Sequence, residues 1–250
     1  MPTILKLHES ADQATIVSHI RSHRILWLDV EMRERDDQPA MVGFIPFGSA
    51  PSMVQQVMCD LPFVHVADMK KMKHMSWFRF VLDVVVPVIQ ADGLVAAYSN
   101  HELKFIVGVL EAFNLHELVD RLQYLDCNAG EYFRQHLPAE YHQIRRRLNR
   151  RYRRGLISRR PKVGLKDYLM SDFSGYDYPM YLRGFSPAEA LAYIRPQAID
   201  RPPRRWTKGA KRRLANLLTY NAHDVSGMQF LTMELMEMSL MLSHSAIPTS

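Results

Sequence analysis

The sequence predicts an α/β fold, in which a central sheet is flanked by helices. Apolar runs of strand length, stretches with apolar residues at helical spacing, and Pro and Gly residues between them all favour this class. The composition is that of a folded chain, because 47% of the 250 residues are hydrophobic and 23% are charged. Two cysteines are too few for a disulfide framework, which predicts a reduced, cytoplasmic protein.

The first predicted strand begins at Ile25 and ends with two carboxylates, Asp29 and Glu31. A continuous apolar run of this length is typical of a strand that is buried on both faces. Further strands are predicted at residues 41–47, 63–67 and 94–99, with a short one at 124–127.

The predicted helices follow from apolar spacing and from capping residues. They cover residues 75–89, residues 101–113 with Asn100 as the N-cap, residues 115–122, and residues 211–241. The last helix carries one apolar stripe and is expected to pack against the sheet, and residues 243–250 are expected to fray. Residues 1–250 are predicted to form a single domain, with a basic helical elaboration at about 130–212 inserted before the last helix.

Neither a signal peptide nor a membrane span is predicted. The first ten residues include Lys6, His8 and Glu9, which interrupt any apolar core of a signal sequence. The longest apolar run, residues 78–89, is too short to cross a bilayer and is interrupted by charged residues and a proline. We therefore expect a soluble protein without a membrane partner.

Positive charge is concentrated in two stretches. Residues 145–162 contain ten Lys and Arg, residues 201–213 contain seven, and neither stretch contains an acid. The other residues carry 15 basic against 26 acidic side chains, although the whole chain has a net charge of +6. A solvated helix face normally mixes both signs, so this segregation predicts binding to a phosphate backbone.

The predicted partner is DNA or RNA, and association with the nucleoid is compatible with this. Arginine side chains would contact phosphates without specifying bases, and Tyr152 or Trp206 could stack on bases. The arginines predicted to bind nucleic acid are Arg145, Arg146, Arg147, Arg150, Arg151, Arg153 and Arg154.

Five residues in three segments are candidates for catalysis. Asp29 and Glu31 are two residues apart on a predicted strand, so their side chains emerge on one face. Buried like charges must share protons or cations, and a divalent metal is the usual solution. Glu102 follows another predicted strand, while Tyr220 and Asp224 share a face of the last helix. The last three residues also have structural interpretations. Glu102 could be a favourable charge at a helix N-terminus, Tyr220 a core residue and Asp224 a surface residue.

These segments form three short motifs, LDVE at 28–31, AYSNHEL at 97–103 and YNAHD at 220–224. They resemble the motifs of the DEDD exonucleases of the ribonuclease H-like superfamily, in the tyrosine subgroup with its Y-x-x-x-D pattern. The YprB-like and RecB-associated predicted nuclease branch is the most similar, since YLD at 124–126 and GLKDYL at 164–169 also match it. Two departures concern the second motif, where Glu102 replaces the usual Asp and His101 replaces Phe.

The resemblance implies a ribonuclease H-like mixed central sheet flanked by helices and a metal-dependent nuclease. Two Mg²⁺ or Mn²⁺ ions would be held by the four acids, and Tyr220 would orient the attacking water. The reaction would be phosphodiester hydrolysis at a single-stranded 3′ end. Asp126 and Asn100 would support the ligands, or Asp126 would face the substrate or cap a helix. The implied metal ligands are Asp29, Glu31, Glu102 and Asp224.

Other functions stay open at this point. The fold could be a non-catalytic nucleic-acid-binding module if Glu102 fails to hold metal, or a structure-selective endonuclease that uses the same metal site. An unrelated α/β protein with a basic localisation or membrane-surface signal is a further alternative. The chain contains no G-x-x-x-x-G-K-[ST], G-x-G-x-x-G or G-x-S-x-G pattern, which argues against nucleotide-binding proteins of those kinds and α/β-hydrolases.

Overall fold

In the computed structural model, the described residues are 16, 18–19, 22–33, 38–49, 53–157 and 161–245, with side chains of the last helix up to Glu237. The expectations for the first ten residues and for the tail after Ser245 lie outside this part of the chain. The helix that precedes the tail extends to Ser245.

A mixed six-stranded sheet forms the centre of the described structure. Its strand order is β4-β3-β2-β1-β5-β6. β1, β2 and β3 are antiparallel neighbours, whereas β5 pairs in parallel with β1, and β6 pairs in parallel with β5. The predicted α/β class is therefore confirmed. The strands are β1 (Ile25–Met32), β2 (Pro39–Ile45), β3 (Gln55–Met58), β4 (Lys73–His74), β5 (Leu94–Ala97) and β6 (Asp126–Asn128).

Helices account for most of the remaining structure. A π-helical turn at Val81–Val85 joins α2 to α3, so that residues 77–90 form one helical segment. Short 3-10 turns lie at Leu61–Phe63, Met180–Leu182 and Pro203–Arg205. The α-helices are α1 (Val64–Lys70), α2 (Trp77–Phe80), α3 (Val86–Gln90), α4 (Asn100–Ala112), α5 (His116–Leu125), α6 (Ala129–His136), α7 (Pro138–Arg153), α8 (Leu165–Leu169), α9 (Pro187–Asp200) and α10 (Lys208–Ser245).

Helices cover both faces of the sheet. Successive side chains of β1 point to opposite faces, so the apolar cluster that each side chain enters identifies the helices on that face. Leu26 and Leu28 enter an apolar cluster with residues 77–90, α4 and α5. Ile25 and Trp27 enter a second cluster on the opposite face, together with side chains of α6 and α10. The face toward α10 is the one on which Asp29 lies, since a side chain of α10 reaches its carboxylate.

The basic elaboration is helical, as the sequence predicts. It comprises α6 to α9 and the 3-10 turns near them. α9 packs against the first turns of α10 and against residues 61–67 in a third apolar cluster. The predicted contact of the last helix with the sheet is confirmed, because α10 packs on β1 and β2.

Three local predictions are wrong. Residues 63–67 form a 3-10 turn and the start of α1 rather than a strand, because Phe63, Val66 and Ala67 bury one side at helical spacing. The N-cap of α4 is Ser99 rather than Asn100, since the Ser99 hydroxyl accepts a hydrogen bond from the backbone of His101. β3 and β4 are missing from the prediction, because one is half polar and the other has two residues.

No helix in the described part of the chain combines the length and the apolar character that crossing a bilayer requires.

Candidate active site

Four carboxylates from three elements lie near one another, where the carboxyl ends of β1 and β5 meet and α10 crosses β1. We call Asp29, Glu31, Glu102 and Asp224 the acidic cluster. Asp29 and Glu31 lie on β1, and Glu102 lies in the first turn of α4, directly after β5. Because β1 and β5 are parallel neighbours, their carboxyl ends meet at the same edge of the sheet. α10 crosses β1 and adds Asp224.

The charges of the acidic cluster act on one another. Burial raises the pKa of Asp29 to about 7, and the charge of Glu102 adds to this rise. Burial also raises the pKa of Glu31 well above its ordinary value, and Asp29 and Asp224 raise it further. The pKa of Asp224 rises in the same way, first by burial and then by the charge of Asp29. The fold therefore brings these acids close enough for mutual repulsion.

Asn221 fixes the orientation of Asp29. It is completely buried on α10, one turn before Asp224. Its Nδ2 donates to the Asp29 Oδ2 at 2.7 Å, and its Oδ1 accepts from the Gln56 Nε2 at 3.1 Å. Gln56 also donates to the carbonyl of Leu218 at 2.7 Å, which links β3 to the helix. The helix thus holds Asp29 through a chain of hydrogen bonds.

Gly43 makes room for this contact. It pairs with Asp29 across β1 and β2. A Cβ atom at this position would lie only 2.1 Å from the Oδ1 of Asn221, and its other near neighbours also belong to that amide. The absence of a side chain at Gly43 is therefore what allows Asn221 to reach the sheet.

Glu102 has its own support at the start of α4. The Ser99 hydroxyl donates to the Glu102 Oε2 at 2.6 Å while it accepts from the backbone nitrogen of His101. Burial raises the pKa of Glu102, and the bond from Ser99 opposes that rise. Glu102, which stands where the resembled motif usually has Asp, is therefore held in place.

The two predicted supporting residues lie outside the acidic cluster, Asn100 in the first turn of α4 and Asp126 at the start of β6. The Oδ1 of Asn100 accepts from the Nδ2 of Asn128 at 2.8 Å, which joins α4 to the start of α6. Asp126 is buried at the start of β6, next to Val95 of β5, and burial raises its pKa to about 7. Asn100 does not cap α4, since Ser99 has that position, whereas Asp126 is the C-cap residue of α5, in agreement with the capping alternative.

Tyr220 lies one helical turn from Asp224, and a hydrogen bond from Tyr220 partly opposes the rise in the pKa of Asp224. Burial and the neighbouring carboxylates raise the pKa of the Tyr220 phenol far above its ordinary value. This side chain therefore stays protonated and can donate a hydrogen bond at neutral pH.

Two further side chains, Lys166 and Tyr178, approach the acidic cluster. The Nζ of Lys166 on α8 lies 5.8 Å from the ring centroid of Tyr220, and its charge partly opposes the rise that burial causes in the pKa of Asp224. Tyr178 is buried, and its pKa is raised by burial and by Asp224, Glu31 and Asp29. Its hydroxyl has no hydrogen-bond partner among the residues that the structure describes.

Two oxygens of the acidic cluster lack partners. The Oε1 of Glu31 and the Oδ1 of Asp224 are buried without a hydrogen bond to any described residue. An all-oxygen donor set with unpaired atoms matches the preference of hard divalent cations. Across the described ranges, however, no three His, Cys, Asp or Glu side chains are already grouped so that they could hold a metal ion. An ion held by three of these carboxylates therefore requires side-chain movement.

The predicted nucleic-acid contacts divide into exposed arginines and a buried tryptophan. The seven arginines predicted at 145–154 are exposed on α7 and at its C-cap, and Tyr152 is exposed beside them. Trp206 instead has 4% of its surface exposed, and its Nε1 donates to the carbonyl of Arg201 at 3.0 Å. The predicted stacking of Trp206 on bases is therefore wrong, because this ring packs inside the third apolar cluster.

Sequence reasoning gave no role to Asn221, Lys166, Gly43 or Tyr178, nor to Gln56 and Ser99, which support Asn221 and Glu102. Asn221 left a signal, because a polar side chain interrupts the apolar stripe of the last helix. Lys166 lies within the GLKDYL stretch, which carried part of the resemblance. Gly43 and Tyr178 left no signal in the sequence.

Comparisons with models of protein families, with curated proteins and with solved structures give no match to this chain. Its chemistry is therefore inferred from the acidic cluster, from Tyr220 and from the exposed arginines of α7. Together they offer oxygen ligands for cations, a phenol that donates hydrogen bonds, and guanidinium groups for phosphates.

Proposed function

We propose that the protein is a divalent-cation-dependent nuclease of the ribonuclease H-like kind, which hydrolyses DNA or RNA from a single-stranded 3′ end. The observation that carries this proposal is the convergence of four carboxylates from β1, α4 and α10, whose charges repel one another and two of which, Glu31 and Asp224, are buried. Such a cluster opposes folding unless protons or cations compensate it. A reaction on phosphate that requires bound cations would explain why these acids lie together.

Asp29, Glu31, Glu102 and Asp224 would hold Mg²⁺ or Mn²⁺, with two ions as the expected number. A bound ion of this kind supplies Lewis acidity toward a phosphoryl oxygen and lowers the pKa of water. The unpaired oxygens of Glu31 and Asp224 support this assignment, since each is a free acceptor.

The other side chains of the site position these ligands. Asn221 holds Asp29 and leaves its second carboxylate oxygen for other contacts, while Ser99 holds Glu102. Tyr220, which stays protonated, orients a water molecule through its hydroxyl rather than acting as a base. Lys166 adds a positive charge beside Asp224, where a phosphate of the substrate would lie.

Two features outside the cluster support the same function. The sheet is mixed and has helices on both faces, as the resemblance to ribonuclease H-like proteins implies. The exposed arginines of α7 provide the cationic surface that an extended phosphate backbone requires. Such contacts bind without selecting a sequence.

Hydrolysis of end-labelled substrates tests this proposal. Single-stranded and duplex DNA and RNA would be incubated with Mg²⁺, Mn²⁺ or EDTA. We expect stepwise shortening from the 3′ end with metal and none in EDTA, and loss of shortening in Asp29→Asn and Asp224→Asn. Asp120→Asn, which changes an exposed carboxylate of α5, is the matched control and should leave the rate unchanged.

The remaining outcomes identify the alternatives. Binding without cleavage under every metal condition would show a nucleic-acid-binding module and would refute the proposed hydrolysis. Cleavage of circular single-stranded DNA would show an endonuclease and would refute the requirement for a 3′ end.

A further inference from the structure

A cleft of about 700 Å³ lies beside the acidic cluster, at the carboxyl ends of β5 and β6. Its walls are formed by α6, α7 and residues 161–163 of the basic elaboration. This volume lies in the range of ligand-binding pockets. The side chains that matter for its chemistry are Tyr98, Asn128, Arg134, Tyr141, Arg145 and Lys162.

Positive charge predominates in this cleft. Three of its side chains are cationic, and the acid is Glu131, which pairs with Arg134 at 2.5 Å. Arg145 and Lys162 are exposed, and neither forms an ion pair with any residue that the structure describes. Two uncompensated cations are therefore available to an anionic ligand.

An aromatic ring stands beside these cations. Tyr141 is half-buried on α7, and the guanidinium carbon of Arg145 lies 6.0 Å from its ring centroid. On the facing wall, the Tyr98 hydroxyl donates to the carbonyl of Val163 at 3.2 Å, which ties the end of β5 to the basic elaboration. The cleft thus combines phosphate-binding cations with a ring on which a base can stack.

The cleft adjoins the acidic cluster through two connections. Tyr98 directly precedes Ser99, whose hydroxyl holds Glu102. Burial raises the pKa of the Tyr98 phenol, and the negative charge of Asp224 is among the charges that add to this rise. A strand with one phosphate at the acidic cluster therefore has its neighbouring nucleotides within reach of this cleft.

We infer that this cleft is a binding subsite for a nucleotide of the substrate strand adjacent to the one at the acidic cluster. Arg145 and Lys162 bind its phosphates, and Tyr141 stacks on its base. The inference rests on the proposed nuclease function for the identity of its ligand, a single-stranded nucleic acid. The arginines farther along α7 would contact successive phosphates of the strand on the protein surface. The residues of the cleft would instead surround a single nucleotide.

Binding measured without hydrolysis tests the cation contacts. The probe is a fluorescently labelled single-stranded oligonucleotide, followed by anisotropy in EDTA at several salt concentrations. The variant Arg145→Gln with Lys162→Gln should lose at least about tenfold in affinity. The slope of log affinity against log salt should fall by about 1.4, since each phosphate contact contributes about 0.7 on a single strand. Arg79→Gln with Lys104→Gln removes two exposed cations from α2 and α4 and is the matched control.

A second substitution tests the ring. Tyr141→Leu should weaken binding by about tenfold, the lower end of what the stacking of one base on an aromatic ring contributes. Tyr141→Phe retains the ring and should bind like the unmodified protein. Equal loss in both variants would overturn the stacking role, and an unchanged salt slope in the double variant would overturn the phosphate role.

The failure of this inference and of the proposed function can be told apart. If the protein hydrolyses nucleic acid but the double variant binds the oligonucleotide with full affinity, the cleft is not a subsite and the nuclease stands. If the protein hydrolyses no nucleic acid with either metal but the double variant loses affinity and salt slope, the nuclease is refuted and the cleft is supported.

Discussion

The two faces of β1 have opposite effects on the stability of the fold. On one face, Leu26, Leu28 and Val30 are buried in an apolar cluster, and their burial stabilises the protein. On the other face, Glu31 is buried beside the carboxylate of Asp224, and Asp29 is half-buried. Desolvation and repulsion raise their pKa values, so their charged forms destabilise the protein.

The stability of the fold explains the apolar residues on one face of β1, but it does not explain the acids on the other face. Apolar residues at positions 29 and 31 would give a more stable sheet. The acids there are supported by Asn221 and Gly43, which are arranged to orient the Asp29 carboxylate rather than to neutralise it. Under the proposed function, the α10 face is the functional face of the sheet, and its cost in stability should be measurable.

The largest effect should come from removing one charge on the functional face. We expect Asp224→Asn to reduce metal-dependent hydrolysis by about 10²–10³-fold, the usual loss when one group that stabilises transition-state charge is removed. The same variant should unfold at a higher temperature in EDTA, because repulsion within the acidic cluster falls. A gain of about 1 kcal/mol corresponds to about 2–4 °C for a chain of this size.

Initial rates and thermal unfolding of the same preparation check both parts of this expectation. Asp120→Asn, on the exposed side of α5, should change neither quantity. A lower unfolding temperature for Asp224→Asn would mean that its charge is compensated within the protein, and it would contradict the assignment of the α10 face.

The opposite result should follow on the other face of β1. Leu28 is completely buried, and Leu28→Ala should lower the free energy of unfolding by about 2–5 kcal/mol. Hydrolysis per folded molecule should change far less than in Asp224→Asn, because the α10 face is untouched. Urea unfolding and rates at low temperature test this. Leu156→Ala, at a residue 65% exposed, is the control and should stay within about 0.5 kcal/mol.

The elements that build the two faces could be predicted because their signals are local. The apolar run from Ile25 and the stripe along the last helix indicate β1 and α10 from residues that are close in sequence. The alternation of side chains along a strand also places Asp29 and Glu31 on one face. The structure confirms each of these features.

The contacts between elements were less accessible to sequence reasoning. Asn221 and Asp29 are 192 residues apart, and the requirement for glycine at Gly43 arises only when α10 lies on β2. Trp206 is an aromatic residue within a basic stretch, which suggested that it stacks on bases, but the packing of α9 against α10 buries it. Periodicity specifies a face, whereas these outcomes depend on which element covers that face.

A smaller effect should result from disturbing the support of Asp29. We expect Gly43→Ala to displace the amide of Asn221, because the new Cβ would lie 2.1 Å from its Oδ1. Loss of such support behind a metal ligand typically weakens metal affinity by 10–100-fold. Calorimetric titration with Mn²⁺ measures this. Gly108→Ala is the matched control, since a Cβ at that helical position meets no atom within 4 Å. Equal Mn²⁺ affinity in the two variants would show that Asn221 does not position Asp29.

The last comparison is the pH dependence of stability, which sets half-buried Asp29 against buried Asp126, two acids with similar pKa values. Asp29 lies in the acidic cluster and Asp126 on β6, and both have their pKa raised to about 7 from an ordinary value of 3.8. The folded protein therefore binds more protons than the unfolded chain between these values. The stability that this protonation provides is complete below about pH 4 and is lost as the pH rises through 7.

Thermal unfolding in EDTA should accordingly occur at lower temperature at pH 8 than at pH 5.5. Asp29→Asn and Asp126→Asn should each reduce this difference. Saturating Mn²⁺ separates the two acids, because a cation competes with protons for the acidic cluster, whereas no charge of the described residues adds to the rise in the pKa of Asp126. Mn²⁺ should therefore raise the unfolding temperature more at pH 8 than at pH 5.5, in the unmodified protein and in Asp126→Asn alike. If Asp29→Asn retains the full effect of Mn²⁺, the cation binds elsewhere and the two faces of β1 do not differ in function.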